Sequence, residues 1–138
     1  MTEITVSAIT ASDVDAVNRI GREAYGAEPS ESMLAFAVIG GGFGGALVAR
    51  TAEDEVVGFV LWDSYGGNNA YIANVNVSPQ YQNRKIGRRL IENAFVLMRE
   101  QGYATASLNV SSANKPALAL YTKLGFEPYN GTCLVKLL

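Results

Sequence analysis

The stretch Val77-Ser78-Pro79-Gln80-Tyr81-Gln82-Asn83-Arg84-Lys85-Ile86-Gly87-Arg88-Arg89-Leu90 gathers 4 of the chain's 11 basic residues where a strand gives way to a helix. Tyr71 to Val77 reads as the strand, stopped by Pro79, and the spacing of Ile86, Leu90, Ala94, Leu97 and Met98 predicts a helix from about Arg84 to Glu100, ended by Gly102. A helix N-terminus already carries about half a positive charge and unpaired N–H groups, so acidic side chains are expected in its first turn. Here the charges are all basic, each opposing the dipole by up to about 1 kcal/mol when exposed, and a bound polyanion would reverse that sign. Gly87 would let such a ligand approach the backbone with no Cβ in the way. Charge alone also fits a solvated face or a nucleic-acid patch. The position, directly after a strand and opening a helix, is the arrangement that cradles phosphates.

Upstream, Ile4, Val6 and Ala8 alternate as a first strand, and Thr10, Ser12 and Asp13 offer caps to a helix carrying Val14, Val17, Ile20 and Ala24. A second apolar helix is expected over about Glu31 to Ile39, followed by a glycine-rich loop and strands at about Ala46 to Arg50 and Val56 to Trp62, with a hairpin loop at Ser64 to Asn69. Downstream come a strand over Thr105 to Val110, a helix over Asn114 to Leu124, and closing strands to Leu138. The order βααβββαβαββ predicts an α/β fold: one domain over 1–138, a mixed, mostly antiparallel sheet with helices on both faces, and a parallel crossover at 71–110.

With 138 residues, 49% hydrophobic and 17% charged, the chain is globular and large enough for one core. A net charge of −2 argues against a protein devoted to binding nucleic acid. One cysteine, Cys133, allows no internal disulfide and reads as structural. The absence of histidine leaves Asp, Glu, Tyr, Lys or water as general base and points to no metal site. The uncharged stretch Met33 to Ala49 is interrupted by glycines, which favours a helix, loop and strand over a membrane span. Gly40 to Gly45 also fits a Gly-x-Gly-x-x-Gly pattern, but a strand follows where a dinucleotide site needs a helix. Met1-Thr2-Glu3-Ile4 has none of the features of a signal peptide, so the expected location is cytoplasmic.

The stretch opening this section resembles the coenzyme A pyrophosphate motif of the GNAT superfamily of acyl-coenzyme A dependent N-acyltransferases, Gln/Arg-x-x-Gly-x-Gly/Ala. Gln82 and Gly87 stand at its first and last positions, and Lys85 replaces its first glycine. Leu108 to Phe126 resembles the family's closing signature, with Asn114 starting a helix and Tyr121 preceding Leu124-Gly125-Phe126. The resemblance implies an N-acetyltransferase in which a primary amine, on a small molecule, a peptide N-terminus or a lysine, attacks acetyl-coenzyme A directly. A coenzyme-binding module without catalysis is the alternative.

By the same resemblance, the phosphates fall to Gln82, Asn83, Arg84, Lys85, Ile86, Gly87 and Arg88, with Asn114 and Tyr121 completing the cofactor site. Backbone N–H groups at Val75, Asn76 and Val77 would bind the pantetheine and polarise the thioester. Tyr121 would protonate the leaving thiolate, although a core or capping role also fits its place in the sequence. Asn74 and Asn76 share one face of a strand where Asn is a poor former, which points to a bulge, a site or both. No carboxylate lies on Tyr71 to Val77, so water held by Asn74, Tyr71 or backbone carbonyls would remove the amine proton, with Glu28, Glu31 and Asp63 as alternative bases. The loops at Tyr25 to Gly45 and Trp62 to Ala70 would set the acceptor. No membrane partner is expected, and both a monomer and a homodimer through Met33 to Ala49 and the last strands are open.

Overall fold

The computed structural model describes residues 3–40, 44–64 and 66–138. Its elements follow the expected order: β1 (Ile4–Ala8), α1 (Val14–Tyr25), α2 (Glu31–Ile39), β2 (Gly45–Thr51), β3 (Val56–Ser64), β4 (Asn69–Val77), α3 (Ile86–Glu100), β5 (Thr105–Asn109), α4 (Lys115–Lys123), β6 (Glu127–Asn130) and β7 (Cys133–Leu137). They build one seven-stranded sheet in the order β1-β2-β3-β4-β5-β7-β6. Every pairing is antiparallel except β4 with β5, which are parallel and joined through α3. β4 is therefore the central strand. Residues 41–43, most of the glycine-rich loop, lie outside the described residues, but β2 begins at Gly45, so a strand does follow that run.

The alternation of side chains along β2 and β3 divides the core in two. Leu47, Ala49, Val60 and Trp62 face α3 and α4, whereas Val48, Phe59 and Leu61 face α1 and α2. α1 contributes Val17 and Ile20 at helical spacing and stops at Gly26, whose φ of 90° only glycine adopts freely. α3 buries Ile86, Leu90, Ala94 and Met98, one residue per turn along a single face.

Two starts differ from expectation by two residues, the others by no more than one. β4 begins at Asn69, because hydrogen bonds at that end hold it to β5 before the apolar pattern starts. α3 begins at Ile86 instead of Arg84, because Asn83 and Lys85 take left-handed backbone conformations with φ of 64° and 62°. At the outer edge, all four residues of β6 are exposed, Pro128 among them.

Trp62 is pinned in the core: its Nε1 donates to Gln101 Oε1 at 3.0 Å, and Gln101 Nε2 donates to the Gly44 carbonyl at 3.0 Å. A Cβ on Gly45 would lie 2.5 Å from Trp62 Cζ2 and 2.9 Å from Cη2. Gly45→Ala is accordingly expected to cost about 2 kcal/mol by overpacking, read as a fall in the urea midpoint at constant m-value. An unchanged midpoint would mean that the indole can tilt away.

Candidate active site

β4 and β5 pair only at Asn69–Thr105, Ala70–Ala106 and Tyr71–Ser107. From Ile72 onward β4 stays on β3 but has no β5 partner, so its N–H and C=O groups on that edge border a gap in the middle of the sheet. The base of the gap is tied by Asn69: its Nδ2 donates to Ser107 Oγ and its Oδ1 accepts from Thr105 Oγ1, both at 2.9 Å. Higher up, Asn109 Nδ2 donates to Tyr71 Oη at 3.0 Å and Asn109 Oδ1 accepts from Thr132 Oγ1 at 3.0 Å.

The register of β4 against β3 slips inside the gap. Leu61 stands opposite Asn74 and Trp62 opposite Ile72, which leaves Ala73 as an extra residue. Since strand side chains alternate, one extra residue exchanges the faces. Ala70 and Ile72 point to the α3 side before the bulge, and Val75 and Val77 do so after it. Gly87 confirms the placement, for a Cβ there would meet Val75 Cγ1 and Val77 Cγ2 at 3.9 Å. Asn74 and Asn76 are thereby turned toward α1, and the paired-asparagine strand does carry the expected bulge.

The gap is a cavity of about 400 Å³. Its walls come from Asn74, Val75 and Asn76 on β4, Asn109 to Ser111 at and just past the end of β5, Ala24 and Tyr25 at the end of α1, and Asn114, Ala117 and Tyr121 around α4. Because α1 lies on one face of the sheet and α4 on the other, the cavity reaches both faces.

Tyr121 is half-buried, with its ring edge-on to Phe126 at 5.7 Å between centroids. Its hydroxyl makes no hydrogen bond among the described residues, and burial pushes its pKa up, so it keeps its proton. Asn114 caps α4 as expected, its Oδ1 accepting from Ala117 N at 3.3 Å. Gly125 follows α4 with φ of 97°.

A groove of about 350 Å³ lies farther along the same two elements. Val77, Gln82, Asn83, Lys85, Ile86, Gly87 and Arg88 line it on the α3 side. Pro116, Ala119, Leu120 and Lys123 line it from α4. The first backbone hydrogen bond of α3 runs from Arg89 N to Lys85 O. The N–H groups of Ile86, Gly87 and Arg88 consequently have no partner inside the helix, no side chain caps it, and its first turn holds no acidic residue. Gln82 Nε2 donates to the Val77 carbonyl at 3.1 Å and holds the loop against β4.

Several sequence readings change. Arg84 does not line the groove; it stacks on Tyr81 at 4.9 Å from the ring centroid and donates to the Gln80 carbonyl, because the left-handed residues on either side turn it outward. Arg89, counted with the basic cluster, reaches back to the Ile4 carbonyl at 2.8 Å. Of the alternative bases, Glu28 pairs with Arg22, and Glu28 and Glu31 line a different groove between α1 and α2. Asp63 is exposed and accepts from the Ser64 N–H. None of the three reaches the cavity. Sequence reasoning missed Asn109, Ser111, Tyr81 and Lys123. The exposed ends of β5 and α4 gave no signal beyond their nearness to the two motifs.

Among the described residues, no group of three or more His, Cys, Asp or Glu could hold a metal, and no helix is long and apolar enough to cross a membrane. A ribosomal protein bS18-alanine N-acetyltransferase of Salmonella typhimurium is 34% identical over 77 residues, covering 56% of this chain and 51% of that protein. A mycothiol acetyltransferase of Clavibacter sepedonicus is 27% identical over 131 residues, covering 90% of this chain and 43% of its own length. The chain thus spans about half the length of the relatives it matches in sequence. In structure it is similar to the ribosomal-protein alanine N-acetyltransferase of Escherichia coli, with a TM-score of 0.78 at 23% identity over 96% of this chain and 91% of that one. It is also similar to a PaiA N-acetyltransferase of Thermoplasma acidophilum in complex with coenzyme A, with a TM-score of 0.77 at 20% identity over 99% of both chains. Residues 14–126, which contain the split between β4 and β5, the start of α3 and Tyr121, match the model of the acetyltransferase (GNAT) family, and the chain belongs to that family.

Proposed function

We propose that this protein is an N-acetyltransferase that moves the acetyl group of acetyl-coenzyme A to an amine by direct attack. The observation that carries the reading is the cavity reaching both faces of the sheet, bordered by the unpaired edge of β4 and by the free hydroxyl of Tyr121. The groove at the uncapped start of α3 suits a pyrophosphate. Free N–H groups, Lys85, Arg88 and Lys123 meet there without an acidic residue in the first turn, and Gly87 leaves the backbone open. Lys85, at the place where the family motif has glycine, holds the left-handed conformation that glycine would hold, at a cost of about 1 kcal/mol. Its N–H and the turn are thus retained, with an ammonium added.

In the reaction, the amine nitrogen attacks the thioester carbonyl, whose oxygen takes up negative charge and is stabilised by backbone N–H groups at Val75 to Val77. The C–S bond then breaks, and the Tyr121 O–H gives its proton to the departing thiolate. The amine's own proton leaves to water, which Asn74 holds from the α1 side. Relatives named for N-acetylation of an alanine and for mycothiol acetylation support an amine acceptor.

The test is thermal unfolding with acetyl-coenzyme A and with free coenzyme A, followed by thiol release. Ligand at 100 times its dissociation constant adds about 2.7 kcal/mol, a Tm rise of about 5–10 °C for a chain of this size. Arg88→Ala is expected to weaken that rise. No rise at millimolar ligand overturns the proposal; a rise without thiol release on any amine leaves a binding module.

A further inference from the structure

The cavity is chemically unusual in what lines it. Its only titratable walls among the described residues are two tyrosine hydroxyls, Tyr25 at the mouth on the α1 side and Tyr121 on α4. β4 and the end of β5 contribute no carboxylate and no cation. Of the acids near these walls in sequence, Glu23 is exposed and does not line the cavity, Glu28 pairs with Arg22, and Asp63 accepts from the Ser64 N–H. What faces α1 instead is neutral: the side-chain amides of Asn74 and Asn76, neither hydrogen-bonded to another described residue.

A nucleophilic amine needs a free lone pair, and this cavity has no carboxylate to take its proton or to balance an ammonium brought out of water. The acceptor must therefore arrive neutral. At pH 7 about 1 in 7 α-amino groups is neutral, against about 1 in 2,500 lysine side chains, a difference of about 350-fold. Nor does any Arg or Lys among the described residues line the cavity to pair a free α-carboxylate. Resting on the acetyltransferase reading above, we infer that the acceptor is the α-amine of a peptide or of an amide-linked amino acid, and not a lysine side chain or a polyamine. Asn74 and Asn76, two residues apart on one strand face, offer donors and acceptors at the spacing of an extended peptide backbone.

Three acceptors test this with the intact chain and acetyl-coenzyme A: a tripeptide amide with a free N-terminus, an N-terminally blocked peptide with one lysine, and spermidine. Thiol release from pH 6 to 9.5 gives kcat/KM, and mass spectrometry locates the acetyl group. The free N-terminus is expected to exceed both other amines by about 100-fold or more at pH 7. Its kcat/KM should rise tenfold per pH unit below about 7.8 and level off above, while the lysine peptide still rises at pH 9.5. Comparable rates for lysine or spermidine at pH 7, or a tripeptide profile already flat below pH 7, overturn the inference and leave the acetyltransferase reading standing. Transfer to none of the three at any pH overturns that reading as well.

Discussion

Replacing Tyr121 by Phe is expected to lower kcat for acetyl transfer by about 10²–10⁴-fold, the range for loss of a positioned general acid. The substitution removes one atom and keeps the ring. The ring is what the fold uses, through its edge-on contact with Phe126 and its place against the α3 core. The hydroxyl makes no hydrogen bond among the described residues, so Tm should stay within about 2 °C of the parent, well under 1 kcal/mol. The KM for acetyl-coenzyme A should also change little, since the lost interaction forms only as the C–S bond breaks. Because burial raises the Tyr121 pKa, kcat should show no alkaline decline up to about pH 9 from loss of this proton. Steady-state thiol release beside a melting curve decides the matter. A kcat within threefold of the parent would mean that the thiolate, from a thiol of pKa about 8.5, departs unaided.

The second large effect is on stability. Asp13, 3% exposed, lies beneath the turn that starts α1. Its Oδ2 accepts from Thr10 N at 2.8 Å, Thr10 Oγ1 at 3.1 Å and Arg50 Nη2 at 2.5 Å. Burial alone pulls the carboxyl pKa up; the Arg50 and Thr10 hydrogen bonds and the Arg50 charge together outweigh it and hold the pKa below the ordinary value. Asp13→Ala leaves the guanidinium of Arg50, 18% exposed, with the hydrogen bond from its Nε to Ser7 Oγ at 3.4 Å and the pairing to exposed Asp54 at 3.6 Å. The expected loss is about 3 kcal/mol at pH 7, the lower end for breaking a buried pair because Arg50 keeps some water. A carboxyl whose pKa is lower folded than unfolded stabilises fully above the unfolded value near 3.9 and loses that contribution as pH falls toward the folded one. The gap between parent and variant should therefore be complete above about pH 5 and narrow as the pH falls below about 4. Urea unfolding at pH 7 and pH 3 measures both, and a difference under 1 kcal/mol at pH 7 would show Arg50 re-solvating without penalty.

The element order was legible because periodicity, caps and stops agree along this chain. Val17 and Ile20 repeat at helical spacing, Asn114 caps α4 and Gly125 closes it, and the Tyr121–Phe126 contact follows from that closure. The bulge was anticipated from Asn74 and Asn76, but its position at Ala73 was not, since alanine carries no mark of an irregular backbone. The start of α3 was misplaced for a similar reason: a run of basic residues reads as helix, and nothing in that run marks Lys85 as holding a conformation glycine normally takes. Arg84 and Arg89 could not be separated from Lys85 and Arg88 by sequence, because the distinction depends on Tyr81 and on a β1 carbonyl 85 residues away. The missing carboxylate on β4 was visible, yet placing Glu28 and Glu31 away from the cavity needed the packing of α1 and α2, and placing Asp63 needed its exposure near the end of β3.

The exposed outer strand of the sheet has a consequence outside catalysis. A free edge normally offers a row of N–H and C=O groups on which another chain can add itself, the route to edge-to-edge aggregation. In β6, Pro128 removes one donor from that row, Glu127 places a charge beside it, and the register shift between Pro128 and Asn130 interrupts the regular ladder. Four residues thus act as a terminator, making this edge a poor template for a further strand.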